Sequence, residues 1–330
     1  MTRKHVLVTG AGGFIGHHLV KDLVNRGYWV RGVDIKEPEY EPTAAHEFQL
    51  LDLRVWENCL QATSGVDEVY ALAAEMGGIG FIETHKAAIV RDNTLINAHT
   101  IEAARVNEVE RFLYTSSACI YPGYLQRNVD VTPLREEDAY PADAEDGYGW
   151  EKLYMERTCR HYREDFGLET RIVRFHNIFG PLGTYDGGRE KSPAAICRKV
   201  ALADDGGTIE VWGDGEQTRS YCFIDDCVQG IYRLMRSDYH EPLNLGTDRL
   251  VTINQLVDLV AGVAGKTIHK SYDLTKPQGV RGRNSDNSRL RKVLGWEPSV
   301  SLEDGLAETY RFIVSELRLT GQLPAVQTAA

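Results

Sequence analysis

Tyr148 and Lys152 form a pair whose residue types and spacing suit acid–base chemistry. They are four residues apart in a segment with a helical pattern, and residues at that spacing lie on one face of a helix. A tyrosine has an ordinary pKa of about 10, so it acts as a base near neutrality only where positive charge stabilises its phenolate. With Lys152 beside it, Tyr148 could take the proton of a hydroxyl group while the adjacent carbon gives up a hydride. Upstream, Thr115-Ser116-Ser117 ends a strand-like run, and we expect Ser117 to hold the oxygen of that hydroxyl group.

A hydride needs an acceptor, and a glycine turn near the amino terminus predicts one. A strand-like run leads into Gly10-Ala11-Gly12-Gly13-Phe14-Ile15-Gly16, and a helical pattern follows. Glycines at these positions allow a tight turn, a close approach of backbone N–H groups to a pyrophosphate, and close packing of helix on strand. The pyrophosphate of a dinucleotide would then lie at the positive end of the helix. The predicted contacts of this turn are Gly10, Gly13, Phe14, Ile15 and Gly16.

Asp34 ends the second strand-like run and indicates which dinucleotide is bound. A carboxylate there accepts hydrogen bonds from the adenosine ribose hydroxyls and repels a 2′-phosphate, so we predict NAD rather than NADP. Asp52 and Leu53 are predicted adenine contacts, with an ordinary surface position as the alternative for Asp52. Tyr148 and Lys152 would complete the cofactor site beside the nicotinamide.

Short β-branched or aliphatic runs alternate with helical patterns over most of the chain, as is typical of a parallel sheet with helices on both faces. The predicted strands are residues 6–9, 29–33, 68–72, 112–116 and 170–175. The predicted helices are residues 14–26, 93–106, 148–166, 254–264 and 301–317. After Gly180 the alternation fades, and Trp212-Gly213-Asp214-Gly215 predicts a hairpin. We therefore predict an α/β fold in which residues 1–180 mainly form a Rossmann-type doubly wound sheet, while residues 181–330 mainly form a smaller α/β substrate-binding lobe interleaved with it.

Composition limits the class of protein. The 330 residues carry a formal net charge of -11, and an acidic surface repels phosphate backbones, so we predict no nucleic-acid partner. No apolar run approaches a membrane span, and the first strand-like run leaves no room for a signal peptide. We therefore predict a cytoplasmic protein with no membrane partner. The six cysteines lack the spacing of metal ligands, so we expect no metal site and no disulfide framework.

Several segments together resemble the extended short-chain dehydrogenase/reductase family of nucleotide-sugar enzymes. The G-x-x-G-x-x-G turn, the position of Ser117 and the pair Tyr148-x-x-x-Lys152 match the pattern of that family. Within the family, the chain is most similar to the GDP-mannose 3,5-epimerases, and the similarity extends nearly to the carboxyl terminus. The segments that carry it are residues 73–82, 116–122, 174–181, 187–195, 212–215, 217–220 and 280–287.

The resemblance implies an NAD-dependent isomerase that converts GDP-α-D-mannose to GDP-L-galactose and GDP-L-gulose. Transient oxidation of the sugar at C4 acidifies the hydrogens on the flanking carbons, C3 and C5. Inversion of either carbon needs one group that removes a proton and another that returns one to the opposite face. The resemblance assigns these roles to Cys119 and Lys191. We also expect the chain after Ser117 to be extended, so that the side chains of Ser117 and Cys119 point the same way.

The resemblance further implies a set of substrate contacts, in which arginines bind the pyrophosphate with two parallel hydrogen bonds. The choice of Arg281 over Arg283 stays open. The implied contacts are Gly77, Ser117, Asn177, Glu190, Lys191, Lys199, Gln217, Arg219 and Arg281.

Two departures from the family pattern, Tyr185-Asp186 and Trp150, are expected to lie close to the sugar. The family commonly packs the helices at residues 93–106 and 148–166 into a four-helix bundle between two subunits. A homodimer is therefore expected.

Two other classes of function remain open. A 4-epimerase or a 4,6-dehydratase of another nucleotide sugar would share the cofactor and the Tyr–Lys pair. Cys119 argues against the dehydratase, which has a carboxylic acid at that position, and Lys191 is superfluous in a simple 4-epimerase. A non-catalytic regulator that binds the dinucleotide is the third possibility. The presence of both Tyr148 and Lys152 argues against that possibility.

Overall fold

A parallel sheet of seven strands forms the centre of the structure, a computed structural model that describes residues 3–324. The strands of the chain are β1 (His5–Thr9), β2 (Trp29–Asp34), β3 (Glu47–Leu50), β4 (Glu68–Ala71), β5 (Arg111–Ser117), β6 (Glu169–Phe175), β7 (Ile178–Phe179), β8 (Thr208–Trp212), β9 (Thr218–Arg219), β10 (Cys222–Phe223), β11 (Leu243–Leu245), β12 (Val251–Thr252), β13 (His269–Asp273) and β14 (Gly282–Arg283). The central sheet has the order β11-β6-β5-β4-β1-β2-β3. The inner strands β1 and β4 are almost wholly buried, as expected where helices cover both faces.

The helices are α1 (Phe14–Asn25), α2 (Trp56–Thr63), α3 (Ile79–Thr84), α4 (Lys86–Val106), α5 (Asp146–Phe166), α6 (Ser192–Leu202), α7 (Ile224–Arg236), α8 (Ile253–Ala264), α9 (Ser288–Leu294) and α10 (Leu302–Leu319). The five predicted strands are confirmed to within one residue at each end, and all five predicted helices are found. The elements that the sequence patterns missed include β3, the first two turns of α4, and the helices α2, α3, α6, α7 and α9.

The strand order reverses direction at β1, which lies between β2 and β4. Ligands of doubly wound sheets bind in the crevice outside the carboxyl ends of strands at such a point. Here Thr9 at the end of β1 accepts hydrogen bonds from the backbone N–H groups of Leu72 and Ala73, at 3.1 and 3.0 Å. This contact holds the segments that leave β1 and β4 side by side at the crevice.

The predicted hairpin at residues 212–215 is wrong. Strand β8 pairs in parallel with β13, while β9 pairs with β12 and β14. The reason is that the turn bonds to distant residues: Gly213 donates to the Asp273 carbonyl at 2.8 Å, and Asn254 donates to the Asp214 carbonyl at 3.3 Å. These contacts direct the two strands into different sheets.

The largest hydrophobic cluster joins the two predicted lobes. It contains Val6 and Leu19 from the first half of the chain together with Ile224 and Leu306 from the second. Strand β11, also from the second half, pairs with β6 in the central sheet. The boundary at residue 180 itself stays a prediction.

Within residues 3–324, no helix is long and apolar enough to cross a bilayer. The same part of the chain holds no group of three or more His, Cys, Asp or Glu side chains that could bind a metal ion. All six cysteines are free thiols, and five of them are buried.

Candidate active site

The glycine turn between β1 and α1 is too crowded for side chains. Gly10 has a φ of +70°, and a Cβ atom there would lie 2.9 Å from the backbone nitrogen of Ala73. A Cβ atom on Gly16 would collide with the carbonyl oxygen of Gly10. No side chain caps α1 at Gly13. The turn therefore lets a ligand come close to the backbone at the start of α1, and a helix start is an arrangement that binds a pyrophosphate.

Asp34 lies against this turn at the end of β2. Its carboxylate accepts hydrogen bonds from the backbone N–H groups of Gly12 at 2.9 Å and Ile35 at 2.7 Å. Burial raises the pKa of Asp34, and the backbone hydrogen bonds oppose that rise. Phe14 and Ile15, the other predicted contacts, are the first residues of α1. A glycine cradle beside a partly buried carboxylate fits the diphosphate and adenosine ribose of NAD.

The two predicted adenine contacts lie in different surroundings. The Asp52 carboxylate is bound by Arg54 at 2.7 Å, and this arginine also bonds Asp92 at 3.0 Å. The hydrogen bond from Arg54 lowers the pKa of Asp52. Leu53 is buried in a second hydrophobic cluster. If Asp52 contacts adenine, its carboxylate oxygens must also bind Arg54. The adenine contacts of Asp52 and Leu53 stay predictions.

Tyr148 and Lys152 lie at the start of α5, and both are buried. The Lys152 Nζ atom is 5.6 Å from the centre of the Tyr148 ring and donates a 3.0 Å hydrogen bond to the carbonyl of Thr115. Burial raises the pKa of Tyr148, as does the charge of Cys119, while a hydrogen bond with Ser117 opposes the rise. Burial lowers the pKa of Lys152. Deprotonation of Tyr148 therefore needs added positive charge, which a bound nicotinamide would supply.

The chain after Ser117 is not extended, contrary to our prediction. Residues Ala118–Ile120 form a 3₁₀ turn, and the Ser117 hydroxyl accepts a 3.2 Å hydrogen bond from the N–H group of Cys119. A serine at the start of a helical turn satisfies an amide that would otherwise lack a partner. Cys119 nevertheless reaches the site, since its charge affects both Tyr148 and Lys191.

Lys191 immediately precedes α6, at the end of the loop formed by residues 180–191. Its side chain is open to solvent in the cleft, yet enough protein surrounds it to lower its pKa. The charge of Cys119 raises that pKa in turn, so the thiol and the amine are within electrostatic reach of each other. Among residues 3–324, no carboxylate contributes to the electrostatics of Lys191. An unpaired amine in a cleft is suited to proton transfer.

Arg219 is a partly buried arginine whose described partners are carbonyl groups. It donates to the backbone of Thr218 at 2.8 Å and of Gln278 at 3.3 Å. Burial lowers its pKa, while the charge of Cys119 raises it. A partly buried guanidinium that pairs with no carboxylate in the described part of the chain is suited to bind an anion such as a pyrophosphate.

Arg283 approaches Cys119, whereas Arg281 is occupied elsewhere. Arg281 donates to the Asp214 carboxylate at 2.9 Å. Arg283 is buried and donates to the Cys119 sulfur at 3.6 Å, with an ion pair to Glu145. Both arginines pair with a carboxylate, and only Arg283 also contacts Cys119, so the choice between them stays open. The sequence could not distinguish the two arginines because residues two apart point to the same side of a strand.

Two further predicted substrate contacts, Gln217 and Lys199, lie in the second half of the chain. Gln217 is buried and donates to the carbonyl of Trp212 at 3.0 Å. Its side-chain oxygen has no partner among the described residues, which leaves an acceptor for a ligand. Lys199 donates to the carbonyl of Glu210 at 2.7 Å, and burial lowers its pKa.

Three further predicted contacts are held by backbone geometry. Asn177 has a φ of +43° and donates to the Ser220 carbonyl at 2.8 Å. The Glu190 carboxylate accepts from the Gly188 N–H group at 2.7 Å. Gly77 lies against the ring of Phe81, where a Cβ atom would be 2.9 Å from that side chain. None of these contacts excludes a ligand.

The two departures from the family pattern lie in different surroundings, and their closeness to the sugar stays a prediction. The Tyr185 side chain is buried in the core, with its ring 6.0 Å from Tyr40 and 6.2 Å from Phe312. Its neighbour Asp186 pairs with an arginine of α6 at 3.1 Å. Trp150 is 49% exposed, because it lies two residues from Tyr148 and thus on another face of α5.

Comparison with known proteins supports one family and one fold. Residues 6–246 match the sequence profile described as the NAD dependent epimerase/dehydratase family. The chain is 48% identical over 314 residues to GDP-mannose 3,5-epimerase 1 of Oryza sativa subsp. japonica, covering 94% of this chain and 82% of that protein. The GDP-mannose 3,5-epimerase of Arabidopsis thaliana gives the same identity and coverage.

Solved structures agree with the fold. The UDP-glucose 4-epimerase of Thermotoga maritima with UDP-glucose superposes with a TM-score of 0.86 at 27% identity, covering 95% of this chain and 99% of that chain. The UDP-glucose 4-epimerase of Thermus thermophilus in complex with NAD gives a TM-score of 0.81 at 23% identity, covering 94% and 98%. The predicted Rossmann-type fold is confirmed.

Proposed function

Because the chain belongs to the NAD dependent epimerase/dehydratase family, we propose that it is an NAD-dependent epimerase of GDP-mannose. It converts GDP-α-D-mannose to GDP-L-galactose and GDP-L-gulose. Relatives that are 48% identical over 94% of the chain are named for this activity. The substrate is a nucleotide sugar, as the sequence predicted.

One observation carries this assignment: a thiol and an amine lie within electrostatic reach of each other beside a Tyr–Lys pair. The charge of Cys119 raises the pKa of both Lys191 and Lys152, and it also affects Tyr148. A single cleft therefore holds a pair that can oxidise an alcohol and two further groups that can move protons. Oxidation followed by inversion at a neighbouring carbon requires this combination.

The residues divide the reaction between them. Bound NAD would accept the hydride of C4 and return it after inversion. Tyr148 takes and later returns the proton of the C4 hydroxyl group, and Ser117 holds the oxygen. Tyr148 and Ser117 also stabilise the negative charge that develops on this oxygen when a flanking carbon loses its proton. Cys119 and Lys191 remove and return protons at C3 and C5.

A 4-epimerase or a 4,6-dehydratase accounts less well for the site. A 4-epimerase needs no proton transfer at a ring carbon, so Cys119 and Lys191 would have no role. A dehydratase has a carboxylic acid at the position of Cys119. The GDP-mannose reaction uses both groups.

Product analysis tests the assignment. Purified protein is incubated with GDP-mannose, UDP-glucose and a CDP-hexose in parallel, and the sugars are identified by NMR. We expect GDP-L-galactose and GDP-L-gulose from GDP-mannose and no turnover of the other two. Turnover of a UDP- or CDP-sugar without turnover of GDP-mannose would overturn the substrate assignment.

We also propose that the protein is a homodimer that forms through α4 and α5. Trp150 and Tyr154 are four residues apart on one face of α5 and are 49% and 64% exposed. Val90 and Leu95 of α4 are exposed as well. Large apolar side chains that share a surface are typical of an interface. Two such helices from each subunit would form a four-helix bundle.

We further propose a cytoplasmic location. Six free cysteines suit a compartment in which thiols stay reduced. Recovery of the tagged native protein from any fraction other than the cytoplasmic one would contradict this proposal.

A further inference from the structure

Arg189 connects two loops that lie on opposite sides of the cleft. We call residues 72–78 the β4–α3 loop and residues 180–191 the β7–α6 loop. The Arg189 guanidinium pairs with the Glu75 carboxylate at 2.8 Å and lies 4.0 Å from the centre of the Phe81 ring, in α3. Its carbonyl oxygen also accepts a 3.0 Å hydrogen bond from the N–H group of Gly78. One residue thus makes three contacts across the two loops.

The β4–α3 loop is itself fixed to the long helix α4. The Asn93 side chain accepts from the backbone N–H group of Glu75 at 2.7 Å and donates to its carbonyl at 3.2 Å. The same side chain donates to the buried Glu151 carboxylate at 2.9 Å, next to Lys152 in α5. Arg189 therefore contacts a loop that is held in place by the helices carrying the Tyr–Lys pair.

The β7–α6 loop is held as far as Asp186, since Tyr185 is buried in the core and Asp186 pairs with an arginine of α6. Two glycines then separate Asp186 from Arg189. Gly187 and Gly188 have φ values of +88° and +85°, and Cβ atoms at either position would meet no other atom within 4 Å. Two consecutive glycines in open space form a flexible hinge. Lys191 lies two residues beyond Arg189 and directly before α6, so α6 fixes its backbone on one side and the contacts of Arg189 fix it on the side of the hinge.

The backbones of the two loops also contact each other directly, at Gly78 and Glu190. A Cβ atom on Gly78 would lie 2.6 Å from the carbonyl oxygen of Glu190. The backbone adjacent to Lys191 therefore rests directly on the β4–α3 loop, and only a glycine fits at the point of contact.

We propose that Arg189 is a positioning residue for Lys191: it fastens the β7–α6 loop to the β4–α3 loop through Glu75, Phe81 and Gly78, and so holds the amine at the sugar. The proposal rests on the proposed function, in which Lys191 moves a proton at a ring carbon. Arg189 itself transfers no proton.

Because the Arg189 side chain is exposed, its role in positioning Lys191 can be distinguished from a role in global stability. Its side chain is 49% exposed, and exposed ion pairs contribute little to folding. Its loss should therefore leave the melting temperature nearly unchanged. Misplacing a catalytic group by about 1 Å, however, costs about 100-fold in rate.

The test measures proton exchange with Arg189→Met and Arg189→Lys, using Arg249→Met as a matched control. Arg249 makes a comparably exposed ion pair with Glu303, at 2.7 Å, far along the chain from the site. Each variant is incubated with GDP-mannose in deuterium oxide, and label at C3 and C5 is followed by NMR. In Arg189→Met, we expect the rate of the proton exchange that depends on Lys191 to fall about 100-fold, with KM little changed. The Arg249→Met control should exchange like the wild type, and Arg189→Lys should be intermediate.

A double variant shows whether Arg189 acts through Lys191. In the Lys191→Ala background, Arg189→Met should cause no further loss of exchange and no loss of bound NAD. Amide hydrogen exchange of residues 187–191 should quicken in Arg189→Met alone, which reports loop mobility independently of activity.

The outcomes also distinguish this inference from the proposed function. Absence of exchange from GDP-mannose in the wild type would overturn the proposed function. Exchange in the wild type and equal exchange in Arg189→Met would overturn the role of Arg189 alone. A further loss in the double variant would likewise overturn it, because Arg189 would then act apart from Lys191.

Discussion

At the scale of residues, Cys119 differs from the other five cysteines by its surroundings. It is the one cysteine that is not buried. Burial raises the pKa of Cys59 to about 11 and that of Cys197 to about 12, which makes those thiols unreactive. The Cys119 sulfur instead accepts a hydrogen bond from Arg283 and has Lys191 within electrostatic reach.

This difference predicts selective alkylation. Iodoacetamide should modify Cys119 well before the other cysteines, because it is accessible and lies among cations. Peptide mass spectrometry over time would measure the order of modification, and bound GDP-mannose should slow it. Faster modification of Cys59 or Cys197 in the folded protein would contradict the prediction.

The part of the site that sequence could predict is the part with a fixed spacing. The glycine turn at Gly10 and the pair Tyr148 and Lys152 follow short local patterns, and the structure confirms the elements that carry them, β1, α1 and α5. The 3₁₀ turn at Cys119 has no period, so it could not be read from the pattern. The contacts of Arg189 join loops that are distant in sequence, and neither loop carries a local signal for the other.

At the scale of elements, a buried histidine connects β6 with β11. His176 follows β6, and its backbone N–H group donates to the Leu245 carbonyl at 3.0 Å. Its ring bonds the Asn244 side chain at 3.1 Å and is fully buried. Burial lowers the pKa of His176 from its ordinary 6.5 to about 4. The neutral form is thus the one that the folded protein accommodates.

This lowered pKa predicts how stability depends on pH. Between pH 6.5 and about 4, the unfolded chain binds a proton at His176 that the folded protein does not, so stability falls on acidification through that window. The free energy of unfolding should decrease by about 3 kcal/mol across the window, since each pH unit contributes about 1.4 kcal/mol. His176→Gln should remove this part of the pH dependence in urea unfolding.

The exposed His269 provides the control for this measurement. His269→Gln should leave the slope of stability against pH as it is in the wild type. An unchanged slope in His176→Gln would mean that the histidine is not the group responsible.

The strands that were predicted and those that were missed differ in burial and length. Strands with several buried apolar residues, such as β5 and β6, give a strong pattern. Strand β3 (Glu47–Leu50) is a short edge strand without a buried residue, so its sequence resembles a loop. Strands β9 and β12 contain two residues each, and their pairing depends on tertiary contacts that no periodicity encodes.

At the scale of the whole molecule, α4 and α5 share a face with exposed apolar side chains. Trp150 and Tyr154 project from it. Tyr148 and Lys152, which we propose as the catalytic pair, lie on the same helix, α5, and are buried. Dimerisation through this face would stabilise the helix that carries the catalytic pair.

A charge placed on this face should separate the subunits. The double variant Trp150→Glu, Tyr154→Glu is expected to have the mass of one chain by light scattering, whereas the wild type has the mass of two. Tyr272→Glu is the control, since Tyr272 is as exposed as Trp150, at 49%, but lies on β13. A wild-type monomer, or a double variant that remains dimeric, would show that the interface is elsewhere or absent.

The central claim is that Cys119 and Lys191 exchange protons at the two carbons beside a transient carbonyl group. The most direct test incubates the NAD-loaded protein with GDP-mannose in deuterium oxide and follows C3 and C5 by NMR. We predict deuterium at both carbons with the wild type, and loss of epimerisation in Cys119→Ala and in Lys191→Ala, with NAD still bound in each. Turnover of GDP-mannose without label at either carbon, or full labelling in both variants, would contradict the account.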